Sequence, residues 1–512
     1  MAGYLLGFDV GSSSIKASLL SVESGRSVAS ATSPATELDM VAKQPGWAEQ
    51  HPDLWWEHMC KAVAMLRKEH ADAVDAVGAI GISYQMHGLV VIDKNGQVLR
   101  PSIIWCDSRA VPYGEKAMSD IGEEETLSRL LNSPGNFTAA KLAWVKHREP
   151  QLYESVWKMM LPGDYLAYRM TGTLLTTSSG LSEGILWDSS KEQPAWFLMD
   201  YFEFDHGLLP EYAQSFGDHG KVTKEAAEEL GVPAGTPVAY RAGDQPNNAL
   251  SLSVLDPGEL AATAGTSGVV YGVVDRPAYD QQSRVNTFVH VNHSPEQQRY
   301  GVLLCVNGTG ITNRWLKQHT VDNQNATVSY DEINRLAEAA PIGSQGLVVL
   351  PFGNGAERTL LNNDIGASVH GLNFNVHRRE HLLRAGQEGV VFALGYGLEI
   401  MRDMGMQIDL IKAGNANMFQ SPLFRTAFSA VSDATVELYS TDGAEGAARG
   451  AGIGAGIFAS EQEAFEGLSL AQRFSPDELA GDVKAGYENA YRHWKDVLAR
   501  ALESENGPTA AR

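Results

Sequence analysis

The chain has 512 residues, 44% of them hydrophobic, and a formal net charge of −22. This length and apolar content predict more than one core and exclude disordered and collagen-like classes, while the acidic surface repels nucleic-acid backbones and anionic lipid headgroups. The three cysteines, Cys60, Cys106 and Cys305, stand far apart with no CxxC spacing, which argues against a disulfide framework or a thiolate zinc site and for a reducing cytoplasm.

Met1 to Gly11 carries no basic n-region and no small-residue cleavage site, and no stretch reaches the roughly 20 apolar residues that span a bilayer. A cytoplasmic protein with no membrane and no nucleic-acid partner is expected. Tyr4 to Val22 reads as a hairpin, YLLGFDV and IKASLLSV around Gly11-Ser12-Ser13-Ser14, with Asp9 just before the turn. Pro52 to His70 carries Leu54, Trp55, Met59, Val63 and Leu66 at near-helical spacing behind a proline, so an amphipathic helix is expected, followed by a buried strand from Ala79 to Ser83. Helices and short strands then alternate up to a strand at Val238 to Ala242, ending in Gly243-Asp244.

From Glu259 the pattern restarts: LAATA, the turn Gly265-Thr266-Ser267-Gly268, then VVYGVV. A long helix is expected from His381 to Met404 and a small-residue helical stretch from Ala444 to Ala459. The echo of the first hairpin predicts a duplicated α/β unit with a period near half the chain. Residues Glu505 to Arg512 are polar and expected to fray.

Paired hairpins with Gly/Ser/Thr turns form facing nests of backbone N–H groups, which suit phosphates, and Asp9 then stands where a hard oxygen ligand would help to hold magnesium. An ordinary hairpin turn explains either one alone. No Walker A sequence occurs. Asp244 sits at a strand end where the two halves meet, the place where α/β proteins gather ligands, and a carboxylate there accepts a proton from an attacking hydroxyl; by composition alone GDQPNN reads as a turn. Gln85-Met86-His87-Gly88 and Trp105-Cys106-Asp107-Ser108-Arg109 both follow strand-like runs and suit a polyhydroxylated ligand, although a satisfied buried histidine and an Asp-Arg pair explain the same spacing. Gly414-Asn415-Ala416-Asn417 is either a loop or a nucleotide contact. The Gly450, Gly452, Gly454, Gly456 series lacks a preceding strand and is better explained by close helix packing. HExxH and GxSxG are absent, which removes zincin and α/β-hydrolase readings.

In this order the motifs resemble the FGGY family of carbohydrate kinases, most closely its xylulose-phosphorylating branch, over about 450 residues. The segments are FDVGSSSIKASL, PGWAEQHPDLWWE, GISYQMHGLVVIDKNGQVLRPSIIWCDSRA, YRAGDQPNNAL, ATAGTSGVV, LPFGNGAERT, EGVVFALGYGLEIM and AGNANMFQSPLFR. The resemblance implies two actin-like, ribonuclease H-like α/β domains around a cleft, with sugar bound mostly on the first (1–248) and ATP mostly on the second (249–465), and a C-terminal helix and tail beyond (466–512). It implies Asp244 as the catalytic base toward the 5-hydroxyl of D-xylulose and Asp9 as the residue orienting Mg2+ and phosphate. Gln85, Met86, His87, Trp105, Asp107, Arg109 and Gln245 would bind the sugar. Gly11, Ser12, Ser13, Lys16, Gly265, Thr266, Ser267, Gly308, Gly414, Asn415 and Asn417 would bind ATP. A homodimer is implied by the resemblance alone.

Tyr84, where many members carry Gly, Cys106 in place of Asn, and Gln245 are expected to reshape the sugar pocket. The rival readings are a family kinase for another ketopentose, polyol or sugar acid, and a non-catalytic nucleotide-gated sugar-binding protein.

Overall fold

A computed structural model describes residues 3–322, 327–356 and 358–505. The first sheet is built from β1 (Tyr4–Val10), β2 (Ile15–Ser21) and β3 (Ser27–Ser33), then helix α1 (Pro52–Asp75), β4 (Val77–Tyr84) and β5 (Val238–Gly243). Its strand order is β5-β4-β1-β2-β3, with β1, β2 and β3 an antiparallel meander and β4 and β5 parallel to β1. α1 runs five residues past the expected end at His70. His51 caps it by accepting from the Asp53 N–H, Pro52 sits at its start, and Trp55, Met59, Ala62, Val63 and Leu66 form its buried stripe.

Directly after β5 comes helix α2 (Asp244–Ser251), so GDQPNN opens a helix rather than making a turn. Pro246 within its first turn costs no hydrogen bond, because the first N–H groups of a helix have no intrahelical partner.

The second sheet repeats the plan with β6 (Glu259–Ala264), β7 (Gly268–Val274), β8 (Asn286–Val289) and β9 (Tyr300–Val306). Helices α3 (Thr309–Leu316), α4 (Tyr330–Glu338) and α5 (Arg379–Asp403) follow, then β10 (Leu410–Gly414), α6 (Pro422–Ser432) and β11 (Thr435–Tyr439). Helix α7 (Gly443–Gly454), β12 (Leu470–Phe474) and α8 (Gly481–Glu505) complete the chain. The strand order is β8-β9-β7-β6-β10-β11-β12, and its central five reproduce the first sheet strand for strand, including the meander and the two parallel neighbours. Two actin-like α/β units are therefore present, as expected. The helix expected to reach Ala459 ends at Gly454. The fraying expected at the end of the chain falls mainly on residues 506–512, outside the described residues.

Helix α7 falls between β11 and β12 of the second sheet in sequence but lies on the first. Its small residues allow this: a Cβ on Gly7 would run into the Ala444 carbonyl, one on Gly81 into that of Ala447, and one on Gly454 into that of Ala239. Its glycines thus serve close helix packing, as expected, although a strand, β11, does stand directly in front of the helix, contrary to the expectation from the sequence.

The edge strand β8 is sealed by the first half of the chain. Asn132 mimics a neighbouring strand, donating to the Thr287 carbonyl at 2.6 Å and accepting from its N–H at 2.8 Å. Ser179 donates to the Val289 carbonyl and Ser182 accepts from the Val289 N–H. An exposed edge is thereby satisfied and the two halves are joined. Among the described residues no helix is long and apolar enough to cross a membrane.

Candidate active site

Ten residues from both faces of the first hairpin and its neighbours line a cavity of about 360 Å³, among them Asp9, Gly11, Ser12, Ser13, Lys16, Gln85, Trp105 and Asp244. The hairpin explains their meeting. Register pairing of β1 with β2 sets Asp9 opposite Lys16, and the parallel pairing with β4 sets Asp9 beside Ser83, whose hydroxyl donates to Asp9 Oδ1 at 3.1 Å. The turn is closed by the Gly11 N–H on the Ser14 carbonyl. Gln85 continues β4, its N–H bound to the Val10 carbonyl, and Trp105 donates its indole N–H to Ser12 Oγ at 3.2 Å.

Gln50 ties these pieces together and was not singled out from the sequence. Its amide nitrogen donates to the Ser12 carbonyl at 2.7 Å, while its oxygen accepts from Trp55 and Gln85. Lys16 reaches across to Asp442, the N-cap of α7, so the second half of the chain holds a side chain that lines the cavity.

Burial pushes the Asp244 carboxyl up to about 7, and the negative charge of Asp9 adds to the effect against the opposing hydrogen bonds from Gln245. Burial also raises Asp9, with Asp442 adding to it and Ser83 and Lys16 partly offsetting it. Two hard carboxylate donors on one cavity suit a magnesium ion, which takes its remaining ligands from water and phosphate. Among the described residues no group of three or more His, Cys, Asp and Glu could hold a metal unaided.

Behind Asp244, Gly243 allows a close approach: a Cβ there would run into the Glu183 carboxylate and into Met86 at 2.5 Å. Glu183 is a buried carboxyl held well above the usual carboxylate range by burial and then by Asp244, with Tyr84 partly offsetting this through its hydroxyl. Its backbone carbonyl takes a hydrogen bond from His87 Nδ1 at 2.8 Å. A carbonyl only accepts, so Nδ1 carries the proton and the neutral ring offers Nε2 as an acceptor. Burial and then the nearby Lys141 push the His87 pKa down to about 3, keeping the ring neutral. Lys141 is itself buried and donates to the carbonyls of His87 and Ile104, so one ammonium fixes both expected sugar-binding segments. Nothing in local spacing marks Glu183 or Lys141, since both act through tertiary contacts.

Met86, His87 and Gln245 flank the cavity without being among its lining residues. Asp107 and Arg109 do not line it either. They form a buried cluster in which Asp107 accepts from the Ala48 N–H, Arg109 grips Asp107 at 2.6 Å and Glu49 at 2.7 Å, and the guanidinium lies 3.7 Å over the Trp47 ring. This cluster braces the loop that carries Trp105. Tyr84 is buried against Gly163 and Gly180, away from the cavity, so it does not reshape the pocket as expected; alternation along β4 turns its side chain from the face of Gln85. Cys106 is exposed.

A second cavity, of about 380 Å³, opens beside the second hairpin and brings Gly265, Thr266 and Asn417 together with Gly310, Asn313, Asn334 and Gln387. The Gly310 N–H donates to the Gly265 carbonyl at 2.8 Å, joining hairpin to helix. Gly308 is not among the lining residues; it packs under Pro351, where a Cβ would meet the carbonyl oxygen. Ser267 follows the lining residue Thr266, while Gly414 and Asn415 precede the lining residue Asn417 without joining the wall, and Asn415 donates its N–H to the Tyr439 carbonyl.

A model of the N-terminal domain of the FGGY family of carbohydrate kinases matches residues 4–251, and one of its C-terminal domain matches residues 260–459. A xylulose kinase of Bacillus subtilis is 29% identical, with 98% of this chain and 99% of that protein covered. The solved structure of a xyloylose kinase from Brucella ovis superposes with a TM-score of 0.86 at 27% identity, covering 98% of this chain and 99% of that one. A gluconate kinase structure from Lactobacillus acidophilus also has a TM-score of 0.86, at 21% identity and 98% coverage of both chains, so this fold alone does not decide the acceptor.

Proposed function

The chain belongs to the FGGY family of carbohydrate kinases, phosphotransferases acting on an alcohol group, and from this premise we propose that it transfers the γ-phosphoryl group of ATP to the 5-hydroxyl of D-xylulose. The observation that carries the reading is the meeting of Asp244 with Asp9 and the Gly11–Ser13 turn on one cavity, beside the neutral His87 and Gln85.

In this reading His87 Nε2 accepts a hydrogen bond from one sugar hydroxyl while Trp105 covers a C–H face. Asp244 takes the proton of the 5-hydroxyl as its oxygen bonds to the γ-phosphorus, and the bond from phosphorus to the β-bridging oxygen breaks to leave ADP. A base with a pKa near the working pH is suited to this transfer, and burial supplies that match. The backbone N–H groups of the two hairpin turns and Lys16 meet the phosphate oxygens, so charge on the transferred group develops against fixed donors. When bound, magnesium held by Asp9 would neutralise charge between the phosphates. The lining residues of the second cavity would hold the nucleoside.

The test is ADP release from MgATP with D-xylulose, L-xylulose, D-ribulose, L-ribulose, glycerol and gluconate, against a blank without sugar. Strong preference for D-xylulose is expected. Preference for another acceptor would overturn the substrate, and release no faster than the blank would favour a nucleotide-gated binding protein.

A further inference from the structure

One residue of the second half meets both the Asp9 carboxylate and the helix that begins at Asp244. Gly443 is the first residue of α7, and a Cβ on it would run into Asp9 Oδ2 and come within 2.7 Å of Asp9 Cγ. The bare Cα therefore lies against one oxygen of Asp9, while the other accepts from the Ser83 hydroxyl at 3.1 Å. The preceding residue, Asp442, holds Lys16 and caps α7 by accepting from the Glu445 N–H at 3.0 Å, so Gly443 is anchored by the start of its helix.

On the side of Asp244, the Gly443 carbonyl accepts from Asn247 Nδ2 at 2.8 Å. A carbonyl only accepts, so the amide nitrogen faces it; turning the amide over would set oxygen against oxygen. Asn247 is fully buried and lies three residues after Asp244 on α2, on the same face of that helix. Asp9 and Asp244 are like charges when ionised and set no separation by themselves. The neutral contact from Asp9 through Gly443 to Asn247 supplies one.

Resting on the reading that Asp244 takes the acceptor proton while Asp9 orients the phosphates, we propose that Gly443 is the spacer that sets the separation of these two carboxylates and that Asn247 is a positioning residue holding the Asp244 helix to it. Asp244 aims the attacking oxygen and Asp9 the phosphorus, so their separation governs the line along which the phosphoryl group moves. A misplacement of about 1 Å on that line costs on the order of 10²-fold in rate, although the sugar still binds through other groups.

The test is steady-state kinetics of the whole protein with its preferred acceptor. Each rate is divided by the number of ADP-binding sites counted by calorimetry, and sugar phosphate and ADP are measured in the same samples. Gly443→Ala keeps a good helix former in place while displacing the Asp9 carboxylate, and Asn247→Ala removes the tie to α2. Site-corrected kcat should fall about 10²-fold in the first and about tenfold in the second, with the sugar KM within about threefold. The share of ADP formed without sugar phosphate should rise in both, since a misaligned acceptor loses ground to water; an inactive fraction of protein would change neither that share nor the corrected rate. Because both substitutions act on one separation, the double variant should lose less than the product of the single losses. Asn247→Ala carries the test by itself if Gly443→Ala does not fold. A corrected kcat within twofold of the native value, an unchanged ratio of products, or losses that multiply would overturn the proposal. Absence of sugar-stimulated ADP release by the native chain with every acceptor would instead overturn the reading of the cavity, and the proposal with it.

Discussion

Lys141 donates to the His87 carbonyl at 2.8 Å and, from the same ammonium, to the Ile104 carbonyl at 3.0 Å. Removing it orphans two buried acceptors on the segments that bear His87 and Trp105. Lys141→Met is expected to raise the sugar KM by about tenfold or more, at roughly 1–3 kcal/mol for each unsatisfied group, with little change in the ATP KM. Steady-state kinetics with each substrate varied in turn checks this; equal changes in both KM values would count against it. Burial lowers the Lys141 pKa to about 7.

Asp244→Asn removes the base without changing shape. Its kcat should fall by about 10²–10⁴, the usual contribution of a positioned general base, while calorimetric ADP binding stays within a few-fold. A loss of less than tenfold would reject Asp244 as the base.

The pH dependence follows from the same residue. Its carboxyl is raised to about 7, so in the free enzyme kcat/KM should fall about tenfold per pH unit below that value as the base is protonated. The stability sign is opposite. A carboxyl whose folded pKa lies above its unfolded value stabilises the fold at low pH, and this contribution is lost as pH rises through the window from about 4 to about 7. Asp244→Asn should therefore raise Tm at pH 8 and do so less, or not at all, at pH 4.5. Scanning calorimetry at the two pH values decides it.

Gly81→Ala would drive a methyl group into the Ala447 carbonyl where α7 meets β4. The loss should be at least about 1–3 kcal/mol, the usual cost of overpacking, seen as a lower urea midpoint. A midpoint equal to that of the native chain would mean that α7 moves away freely.

Asn132→Leu keeps the volume but leaves the Thr287 N–H and carbonyl at the edge of β8 without partners. Hydrogen exchange at Thr287 should accelerate, with a stability loss of about 1–3 kcal/mol. Unchanged protection would show that the edge is held by other contacts.

Much of the fold was legible because the two hairpins carry their signals locally: short apolar runs around Gly/Ser/Thr turns, repeated at Tyr4 and Glu259. Of the cavity residues, Asp9 and Ser12 belong to the first of those hairpins, while Gln85, Trp105 and Asp244 stand out in the sequence because they follow strand-like runs. Asp107 and Arg109 stand outside the cavity wall, and the sequence could not show this, because a charged pair near a tryptophan reads alike whether it faces a ligand or grips a buried Glu49. GDQPNN misled because proline and asparagine suit both a turn and the first turn of a helix. Gln50, Lys141 and Glu183 gave no signal, since each matters only through residues distant in the chain.

The position of α7 bears on how the chain is made. Its Ala447, Ala448 and Ala451 cover Leu5, Ala79 and Ala239 on the first sheet, although they lie more than 200 residues beyond Ala239 in the sequence. A nascent first half emerging from the ribosome has all five of its strands yet keeps an apolar face bare until translation has passed Gly454. The earliest-made sheet is thus among the last to be finished, and during that interval the growing chain depends on chaperones or on speed to avoid sticking to its neighbours.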